Sequence, residues 1–400
     1  MMVRSRRNSW RLPVVMLGAG VLLVTACGGS GSSNGGSSAP TSGAFTLPVI
    51  TTLTGDGAAN DAGATQAMEI AQDEINATGG IDGHKLNLKI YDDQSDPTRG
   101  AQLISQLGPS SLIVEGPNLT SVSAAVFPVA KSQQLPVVGL SSDLGVISSG
   151  QPWAFSTFAP AQSFIPTLVD RWVDLTKAQN VSLIYDSQNA ASAAQGQVME
   201  QTLSSKHVTS TSVTVQTGMA SYQGPAASVA SKHPDAVGVC GLVADAAAMV
   251  HALRASGYDG PLLLCPATTG PDTLRLLGNN VSDLYLASSW WPGQGGAKAV
   301  AFTRRFETLD KGLEPGSTAT PSWYYDIKLI AQALSQTGVL NSHDSLAAKR
   351  EKLQKYLSHV DGFAGLTGDF DMNSAGYLEG PSFLLQLSDD KFTVVPSSQS

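Results

Sequence analysis

The sequence predicts an α/β fold made of two lobes, each a doubly wound parallel sheet. Predicted strands alternate with predicted helices along the chain, which is typical of parallel sheets covered by helices on both faces. The alternation runs through two successive sets, so two sheets are expected. A chain of 400 residues, 42% hydrophobic and only 14% charged, can bury two cores of ordinary domain size.

The first set of elements starts at residue 45. Phe45–Thr51 is expected to form a strand, and apolar residues spaced by three and four between Ala64 and Ile75 predict a helix. Gly79 and Gly80 end that helix. The set continues with a half-buried strand at 86–91 and a helix that an Asp-Pro pair opens from 96. A strand at 112–115, a helix at 121–131 and a strand at 135–140 follow.

The second set repeats this alternation after residue 155. Its helices are predicted at 162–177, 190–204, 223–231 and 244–256. Its strands are predicted at 181–185, 208–215, 236–240 and 261–265. Ligands of doubly wound sheets bind at the carboxyl ends of the strands, so a ligand site is expected there.

The N-terminal segment is interpreted as an export signal followed by an anchor. Residues 1–26 combine four arginines with an uncharged apolar stretch over 12–26. The stretch ends in Val-Thr-Ala before Cys27, which resembles the lipobox of bacterial lipoproteins, so Cys27 is expected to be lipidated. Residues 27–44 are rich in Gly and Ser and predict a flexible tether. An ordinary signal peptide with a chance cysteine remains the alternative, and the Sec and twin-arginine routes both stay open.

Charge and hydropathy exclude two classes of protein. The chain has 24 basic and 32 acidic residues, a net charge of −8. Without residues 1–26, which hold four arginines and no acid, 20 basic residues face 32 acidic ones, giving −12. Such an acidic chain repels phosphate backbones, so nucleic-acid binding is not expected. No apolar run reaches the roughly 18 residues of a spanning helix, so a multi-pass membrane protein is excluded.

Motifs of catalysis and cofactor binding are missing from the sequence. It has no phosphate-binding G-x-x-x-x-G-K-[ST] run, no H-E-x-x-H and no C-x-x-C. Gly55-Asp56-Gly57 follows a strand, but Asn60 stands where a dinucleotide fingerprint needs glycine. The six histidines show no ligand spacing. We therefore expect no enzyme activity, no cofactor and no metal.

Two cysteines remain once Cys27 is assigned to the anchor. Cys240 and Cys265 each end a short apolar run, with a helical segment between the runs. If these runs are neighbouring parallel strands, a disulfide can form in an exported compartment. Two buried free thiols are the alternative.

Two motifs carry a resemblance to a known family. Residues 74–86 read E-I-N-A-T-G-G-I-D-G-H-K-L, and residues 91–97 read Y-D-D-Q-S-D-P. This pattern resembles the signature of solute-binding proteins of the leucine/isoleucine/valine-binding type, which serve branched-chain amino acid ABC transporters. Supporting matches are Thr54-Gly55, Glu115-Gly116-Pro117, Tyr325-Asp326 and 365–370.

The resemblance implies a type I periplasmic-binding fold with a three-strand hinge. Lobe one is expected at 45–161 and 290–368, and lobe two at 162–289 and 369–396, with crossings near 158–164, 288–292 and 366–370. It also implies an extracytoplasmic protein that captures a small polar ligand, an amino acid or related compound, for an ABC permease. A monomer that touches the membrane through its lipid anchor alone is expected. The same fold acting as a ligand sensor for a membrane receptor is the alternative.

The family pattern also places a ligand site, whose ligand the sequence does not identify. Thr120 falls where a hydroxyl binds the ligand carboxylate, although it could also be a helix N-cap. The family glutamate that binds the ammonium is missing near Ala267 and Thr268, so Asp143 is expected to replace it, with a helix-capping role as the alternative. Trp291 could cover the ligand or pack in a core. The candidate binding residues are Asn60, Asn118, Thr120, Ser121, Ser141, Ser142, Asp143, Thr268 and Trp291.

Overall fold

The computed structural model describes residues 43–268, 273–278, 282–291, 295–309, 319–388 and 391–396. The predicted signal peptide, Cys27 and the tether up to residue 42 lie outside these residues. No helix in the described ranges is both long enough and apolar enough to cross a membrane.

The first sheet has five strands, all parallel, in the order β2-β1-β3-β4-β5. Its strands are β1 Phe45–Thr51, β2 Leu86–Asp92, β3 Val114–Glu115, β4 Val137–Gly139 and β5 Ala154–Ser156. The helices that follow the first four strands are α1 Ala64–Ala77, α2 Pro97–Leu107, α3 Thr120–Ser132 and α4 Leu144–Gly150. This sheet and its helices are called the first lobe.

The chain then builds a second set of strands and helices. The helices are α5 Ala161–Thr176, α6 Ala190–Ser205, α7 Gln223–Ala230, α8 Val243–Ala255 and α9 Thr273–Leu277. The strands are β6 Asn180–Asp186, β7 Thr209–Val215, β8 Ala236–Cys240, β9 Leu262–Leu264 and β10 Leu284–Ser288. These five strands are parallel to one another. They form most of what is called the second lobe.

The last part of the chain contributes to both lobes. Three helices return to the first core: α10 Ala297–Leu309, α11 Ala319–Thr337 and α12 Leu346–Leu357. A small antiparallel sheet joins them, made of β11 Phe363–Ala364, β12 Asp369–Met372 and β13 Leu378–Glu379. Two antiparallel strands, β14 Phe383–Ser388 and β15 Lys391–Val394, complete a second sheet ordered β15-β14-β10-β9-β8-β6-β7. The predicted α/β fold with two parallel-sheet lobes is confirmed.

Local sequence signals explain where the early helices begin and end. Every residue of the predicted apolar face of α1, from Ala64 to Ile75, is buried. Asp96 caps α2 by accepting a hydrogen bond from the backbone N–H of Thr98. Gly80 has a φ of 79°, and a Cβ there would lie 2.2 Å from the carbonyl oxygen of His84. Glycine is therefore required at the turn that releases the chain into β2.

Hydrophobic clusters cover both faces of each sheet. In the first lobe one cluster includes Trp290, Trp323 and Phe302, all almost fully buried. The ring centroids of Trp290 and Phe302 are 6.0 Å apart in an edge-to-face arrangement. Trp172 of α5 occupies the corresponding place in the second lobe. The lobes therefore have separate cores, so one lobe can move relative to the other without breaking either core.

Three crossing segments connect the lobes, and they lie side by side. Ala159, Ser289 and the segment from Glu379 to Ser382 line one small pocket. The first two lie within the segments expected for crossings. The third crossing was expected at 366–370, which would have put 369–396 in lobe two. In the structure it lies at the segment from Glu379 to Ser382 instead.

The physical reason for the correction is a hairpin in the first core. Residues 365–368 form the turn between β11 and β12, closed by a 2.9 Å hydrogen bond from Gly365 N to Gly368 O. Phe370, Met372 and Leu378 after this turn are buried in the first-lobe cluster. The chain therefore reaches the second sheet at β14.

Cys240 and Cys265 form a disulfide at the ends of the neighbouring strands β8 and β9. Their Cα atoms are 5.0 Å apart, within the usual range for a bridge. Both cysteines are almost fully buried, against the sulfur of Met199. The disulfide therefore ties together two strands whose following loops enter the cleft.

Removal of this bridge should lower the free energy of unfolding while leaving the fold intact. The two cysteines are 25 positions apart, and for a loop of that length chain-entropy arguments give about 3 kcal/mol. Urea denaturation of the double variant Cys240→Ala, Cys265→Ala against the wild type measures the loss. Titration of thiols in unreduced, unfolded wild type is the control. Two reactive thiols at these positions, with an unchanged unfolding midpoint in the variant, would show that no bridge contributes.

Candidate ligand-binding site

The loops at the carboxyl ends of both sheets enclose a cavity of about 60 Å³ between the lobes. Its walls from the first lobe follow β1, β3, β4 and β5, and its walls from the second lobe follow β6, β8 and β9. The described lining residues are Asn60, Asp61, Asn118, Leu119, Thr120, Leu140, Ser141, Ser142, Phe158, Ala191, Gln195, Leu242, Pro266, Ala267 and Ala319. This position is where doubly wound sheets bind their ligands.

Hydroxyl groups from two loops form one polar wall. The Thr120 and Ser142 hydroxyl oxygens are 3.0 Å apart, and the Ser142 N–H donates to Thr120 Oγ1 at 2.9 Å. Thr120 is the first residue of α3, whose N-cap is Leu119, so the capping alternative for Thr120 is wrong. The first N–H groups of α3 have no side-chain cap. Such a helix start favours a negatively polarised atom of a ligand.

A buried carboxyl group forms the floor of the cavity. Asp61, only 5% exposed, uses one oxygen, Oδ2, to accept three hydrogen bonds. The donors are Thr51 Oγ1 at 3.0 Å, the Thr52 N–H at 2.9 Å and Asn118 Nδ2 at 3.3 Å. Burial raises the pKa of Asp61 to about 7, since it outweighs the effect of these hydrogen bonds. Asp61 can therefore change its charge near neutral pH.

A second pair of buried acids lies behind the cavity. Glu115 at the end of β3 and Asp326 of α11 are both fully buried, and Thr157 donates to Asp326 Oδ1 at 2.6 Å. Burial, followed by repulsion from Asp326, raises the pKa of Glu115 well above its usual value. Burial also raises the pKa of Asp326 to about 7. No donor of the described chain is directed at the Glu115 carboxyl oxygens, so burial favours the protonated form of Glu115.

One side chain of the first lobe bonds directly to the second lobe. Asn60 Nδ2 donates to the carbonyl oxygen of Ala267 at 2.7 Å, and the Val243 N–H donates to Asn60 Oδ1 at 3.1 Å. On the second lobe, Gln195 accepts from the Ala267 N–H at 3.0 Å and is almost fully buried. The structure is therefore the closed form of the cleft, with Asn60 as the link between the lobes.

A wider groove of about 450 Å³ lies outside the inner cavity. Leu119 from the first lobe and Leu242 from the second line both spaces, so they stand between them. Asp56 and Ser121 line the groove on one side, and Gln188 lines it on the other. A solute that reaches the inner cavity from this groove must pass the two leucines.

The structure brings five of the nine candidate residues to the cavity and places four elsewhere. Those that line it are Asn60, Asn118, Thr120, Ser141 and Ser142. Ser121 faces the outer groove. The three others, Asp143, Thr268 and Trp291, line neither the cavity nor the groove.

Each of these three side chains has a structural partner instead. Asp143 is the N-cap of α4 and accepts from the Val146 N–H at 2.8 Å, so its proposed role as the missing acid is not supported. The Thr268 hydroxyl donates to the carbonyl oxygen of Cys265. Trp291 packs edge-to-face on Phe392 with ring centroids 5.0 Å apart.

Sequence reasoning missed Asp61, Phe158 and Gln195, which line the cavity. The signal for Asp61 was present: it is an acidic residue in a loop of small residues directly after the first strand. Gln195 is a buried polar residue on α6, a pattern that is visible only once the buried face of that helix is known. Within the described ranges, no group of three or more His, Cys, Asp or Glu side chains is arranged to hold a metal ion.

Two α/β lobes with a cavity between them, lined by both polar and apolar groups, define a solute-binding protein. A family model described as periplasmic binding protein matches residues 44–391. The chain therefore belongs to the periplasmic binding protein family, whose members bind substrates and are located outside the cytoplasm.

Solved structures of binding proteins share this fold. The leucine-binding protein LivK from Thermotoga maritima superposes with a TM-score of 0.79 at 18% identity, covering 88% of this chain and 97% of that one. LivJ, a branched-chain amino acid transporter substrate-binding protein from Streptococcus pneumoniae, solved with isoleucine, gives 0.76 at 20% identity, with coverages of 87% and 97%. An ABC transporter substrate-binding protein from Desulfitobacterium hafniense with Leu gives 0.70 at 15% identity, with coverages of 88% and 100%. At these identities the likeness establishes the fold alone.

Neutralising Glu115 should reduce the loss of stability between pH 5 and pH 8. A carboxyl group whose folded pKa is raised contributes stability below its unfolded pKa, and this contribution is lost as pH rises through the folded pKa. In Glu115→Gln this loss is absent. The pH-dependent change in the free energy of unfolding should therefore be smaller than in the wild type by about 1.4 kcal/mol for each unit by which the pKa of Glu115 is raised. Urea denaturation of both proteins at the two pH values measures it.

The exposed Glu351 of α12 provides the matched control. Glu351→Gln removes the same charge at the surface and should leave the wild-type pH dependence unchanged. Equal pH dependence in all three proteins would mean that Glu115 does not hold a proton in the folded state.

Proposed function

We propose that this chain is the solute-binding component of an ABC importer and captures a small polar ligand, an amino acid or related compound, between its lobes. The observation that carries the proposal is the cavity between the lobes, walled by loops of both lobes at the carboxyl ends of their strands and lined in part by hydroxyl, amide and carboxyl groups. A ligand there contacts both lobes only when the cleft is closed. Its binding energy therefore favours the closed form over the open one.

The two lobes offer different groups to the ligand. The first lobe supplies hydroxyls, the Asp61 carboxyl group and the start of α3. The second lobe supplies mainly small side chains, with Gln195 and the backbone around Ala267. We infer that the ligand binds first to the polar loops of the first lobe and that hinge rotation at the three crossings then brings the second lobe over it.

The printed descriptions of the relatives support the amino-acid and transporter parts of the proposal. The Streptococcus pneumoniae protein was solved with isoleucine and the Desulfitobacterium hafniense protein with Leu, and both are described as transporter substrate-binding proteins. An importer passes its solute from the binding protein to a permease unchanged. ABC permease subunits are accordingly the proposed partners, and the binding protein itself is proposed to act as a monomer.

We also propose that the protein is held at the outer face of the membrane by a lipid on Cys27. The lipobox-like residues before Cys27 and the Gly/Ser-rich segment after it support this arrangement. An anchor keeps the binding protein near its permease, and the flexible segment lets it reach the permease in different orientations. Mass spectrometry of the protein extracted from membranes would show a diacylated N-terminal cysteine.

A ligand from the proposed class should stabilise the purified protein and should itself remain chemically unchanged. At about 100 times its dissociation constant a ligand adds about 2.7 kcal/mol to the free energy of unfolding. Thermal unfolding with a panel of amino acids, amides, ureas and amines measures this shift. Mass spectrometry of the ligand after incubation is the accompanying control for turnover. A panel without any shift, or a ligand that is converted to product, would refute the importer assignment.

Removing the interlobe link should weaken the binding of whichever panel compound binds. Asn60→Ala deletes two hydrogen bonds that exist only in the closed cleft, each worth about 1 kcal/mol. We expect a dissociation constant higher by about tenfold or more, with the melting temperature of the ligand-free protein nearly unchanged.

Asn87, exposed on β2, is the matched control. Asn87→Ala removes the same side chain far from the cleft and should bind like the wild type. Unaltered affinity in Asn60→Ala as well would show that its contacts do not stabilise closure.

A further inference from the structure

We propose that the inner cavity recognises a small solute by a nitrogen head group, which donates an N–H hydrogen bond to Asp61 Oδ1. The proposal rests on the proposed solute-binding function and specifies which end of the solute the first lobe holds. It assigns the recognition of nitrogen to the loop after β1.

Two acceptor atoms at the cavity lack a partner. Asp61 and Asn118 both line the cavity and are 5% and 8% exposed. The three hydrogen bonds to Asp61 all end on Oδ2, and Oδ1 accepts none from the described chain. Asn118 Oδ1 is buried, again without a donor among the described residues. Asn118 Oδ1 has no surface open to the cavity, whereas Asp61 Oδ1 is not fully buried. An acceptor at a cavity wall without a partner is costly, so Asp61 Oδ1 is the site for a donor that a ligand brings.

The hydrogen bonds around these side chains fix which atoms remain free. The Thr51 hydroxyl has one proton, which it donates to Asp61 Oδ2 at 3.0 Å, so it can only accept from Asn118 Nδ2 at 2.9 Å. Nδ2 also approaches Asp61 Oδ2 at 3.3 Å. A flipped Asn118 would place its oxygen against two other acceptors. The orientation with Oδ1 unpartnered is therefore the stable one.

Charge selects the head group that fits the Asp61 acceptor. No lysine, arginine or histidine is among the described residues that line the cavity. Behind Asp61 lie three further buried acids, Asp93, Glu115 and Asp326. A ligand carboxylate at this end would face acceptors and repulsion, whereas an ammonium or primary amide supplies at least two donors. The shared chemistry is a nitrogen head group, charged or neutral.

The size of the closed cavity limits the rest of the solute. The volume of the inner cavity is about 60 Å³, while an apolar cavity of about 150 Å³ is known to bind benzene. The part of a solute that lies within this cavity is therefore smaller than benzene, and a short-chain amide or amine fits this limit. A bulky branched side chain needs a wider cleft than the structure shows.

Acetamide and acetate provide the sharpest test because they share their shape and differ in their donors. Isothermal titration calorimetry of the full chain at pH 9, where Asp61 is ionised and its Oδ1 is an acceptor, would compare acetamide, ethylammonium, acetate and leucine. We expect acetamide or ethylammonium to bind at least about tenfold more tightly than acetate. Comparison of the two preferred compounds identifies whether the head group is an amide or a cation. Acetate binding as tightly as either would overturn the proposal, whereas leucine binding as tightly would overturn only the size limit.

The variant Asp61→Asn should reverse the preference. The three donors that now point at Oδ2 would hold the amide oxygen of the new side chain, which turns its NH2 group toward the cavity. An acceptor becomes a donor, so acetamide affinity should fall about tenfold or more while acetate affinity rises. Asp56→Asn, the same change on the exposed wall of the outer groove, is the matched control and should bind like the wild type.

The outcomes separate this proposal from the proposed function. If a panel compound binds and its affinity is unchanged in a folded Asp61→Asn variant, the nitrogen site is overturned and the solute-binding function stays in place. Circular dichroism confirms that the variant is folded. Absence of binding by every compound overturns both. The wild-type comparison of acetamide with acetate needs no variant, so it decides the question even if Asp61→Asn does not fold.

Discussion

Burial of carboxyl groups without basic partners is the constraint on which the cleft depends. Asp61, Glu115 and Asp326 are almost fully removed from water, and no ion pair reaches them in the described part of the chain. An unpaired buried carboxylate is costly, so each group must be hydrogen-bonded or protonated. Hydrogen-bond donors at the end of β1 and on the loops after β1, β3 and β5 meet this need for Asp61 and Asp326, whereas burial favours a protonated Glu115. The same bonds hold those loops in place as the floor of the cavity.

This arrangement makes the first lobe a fixed recognition surface and the second lobe a cover. The loops that carry Thr120 and Ser142 are bonded to each other, so their geometry does not depend on the second lobe. The second lobe reaches the cavity through small residues and one amide, that of Gln195. Its disulfide joins the two strands that carry the covering loops. A solute can then be selected on one surface and enclosed by the other.

Much of the fold could be predicted because its signals are local. The apolar face of α1, the Asp96 cap of α2 and the strand Ala236–Cys240 depend on residues within one or two turns of each other. The third crossing could not be placed in this way. Whether residues 366–370 cross between lobes or turn back depends on the burial of Phe370 against Tyr325, a contact between distant parts of the chain.

The candidate site was predictable in position but not in its charged group. Asp61 and Asp143 both follow a strand of the first sheet, and the sequence alone does not show which one faces the cavity. Asp143 is the N-cap of α4, because that helix starts one residue later, so its carboxylate is bonded to the helix and not to the cavity. The choice between ligand contact and core packing for Trp291 stayed open for a similar reason, since its partner Phe392 is about a hundred residues away. Sequence spacing identifies the loops, whereas long-range packing decides which side chains remain free.

The central claim is that the two lobes close over a solute, and the distance across the cleft mouth tests it most directly. Asp56 and Gln188 are exposed on opposite walls of the outer groove. Spin labels on Asp56→Cys and Gln188→Cys would report the distance between the lobes by pulsed electron resonance. We predict a longer and broader distance distribution without ligand, and a single short distance with it. An identical distribution in both states would contradict closure as the basis of binding.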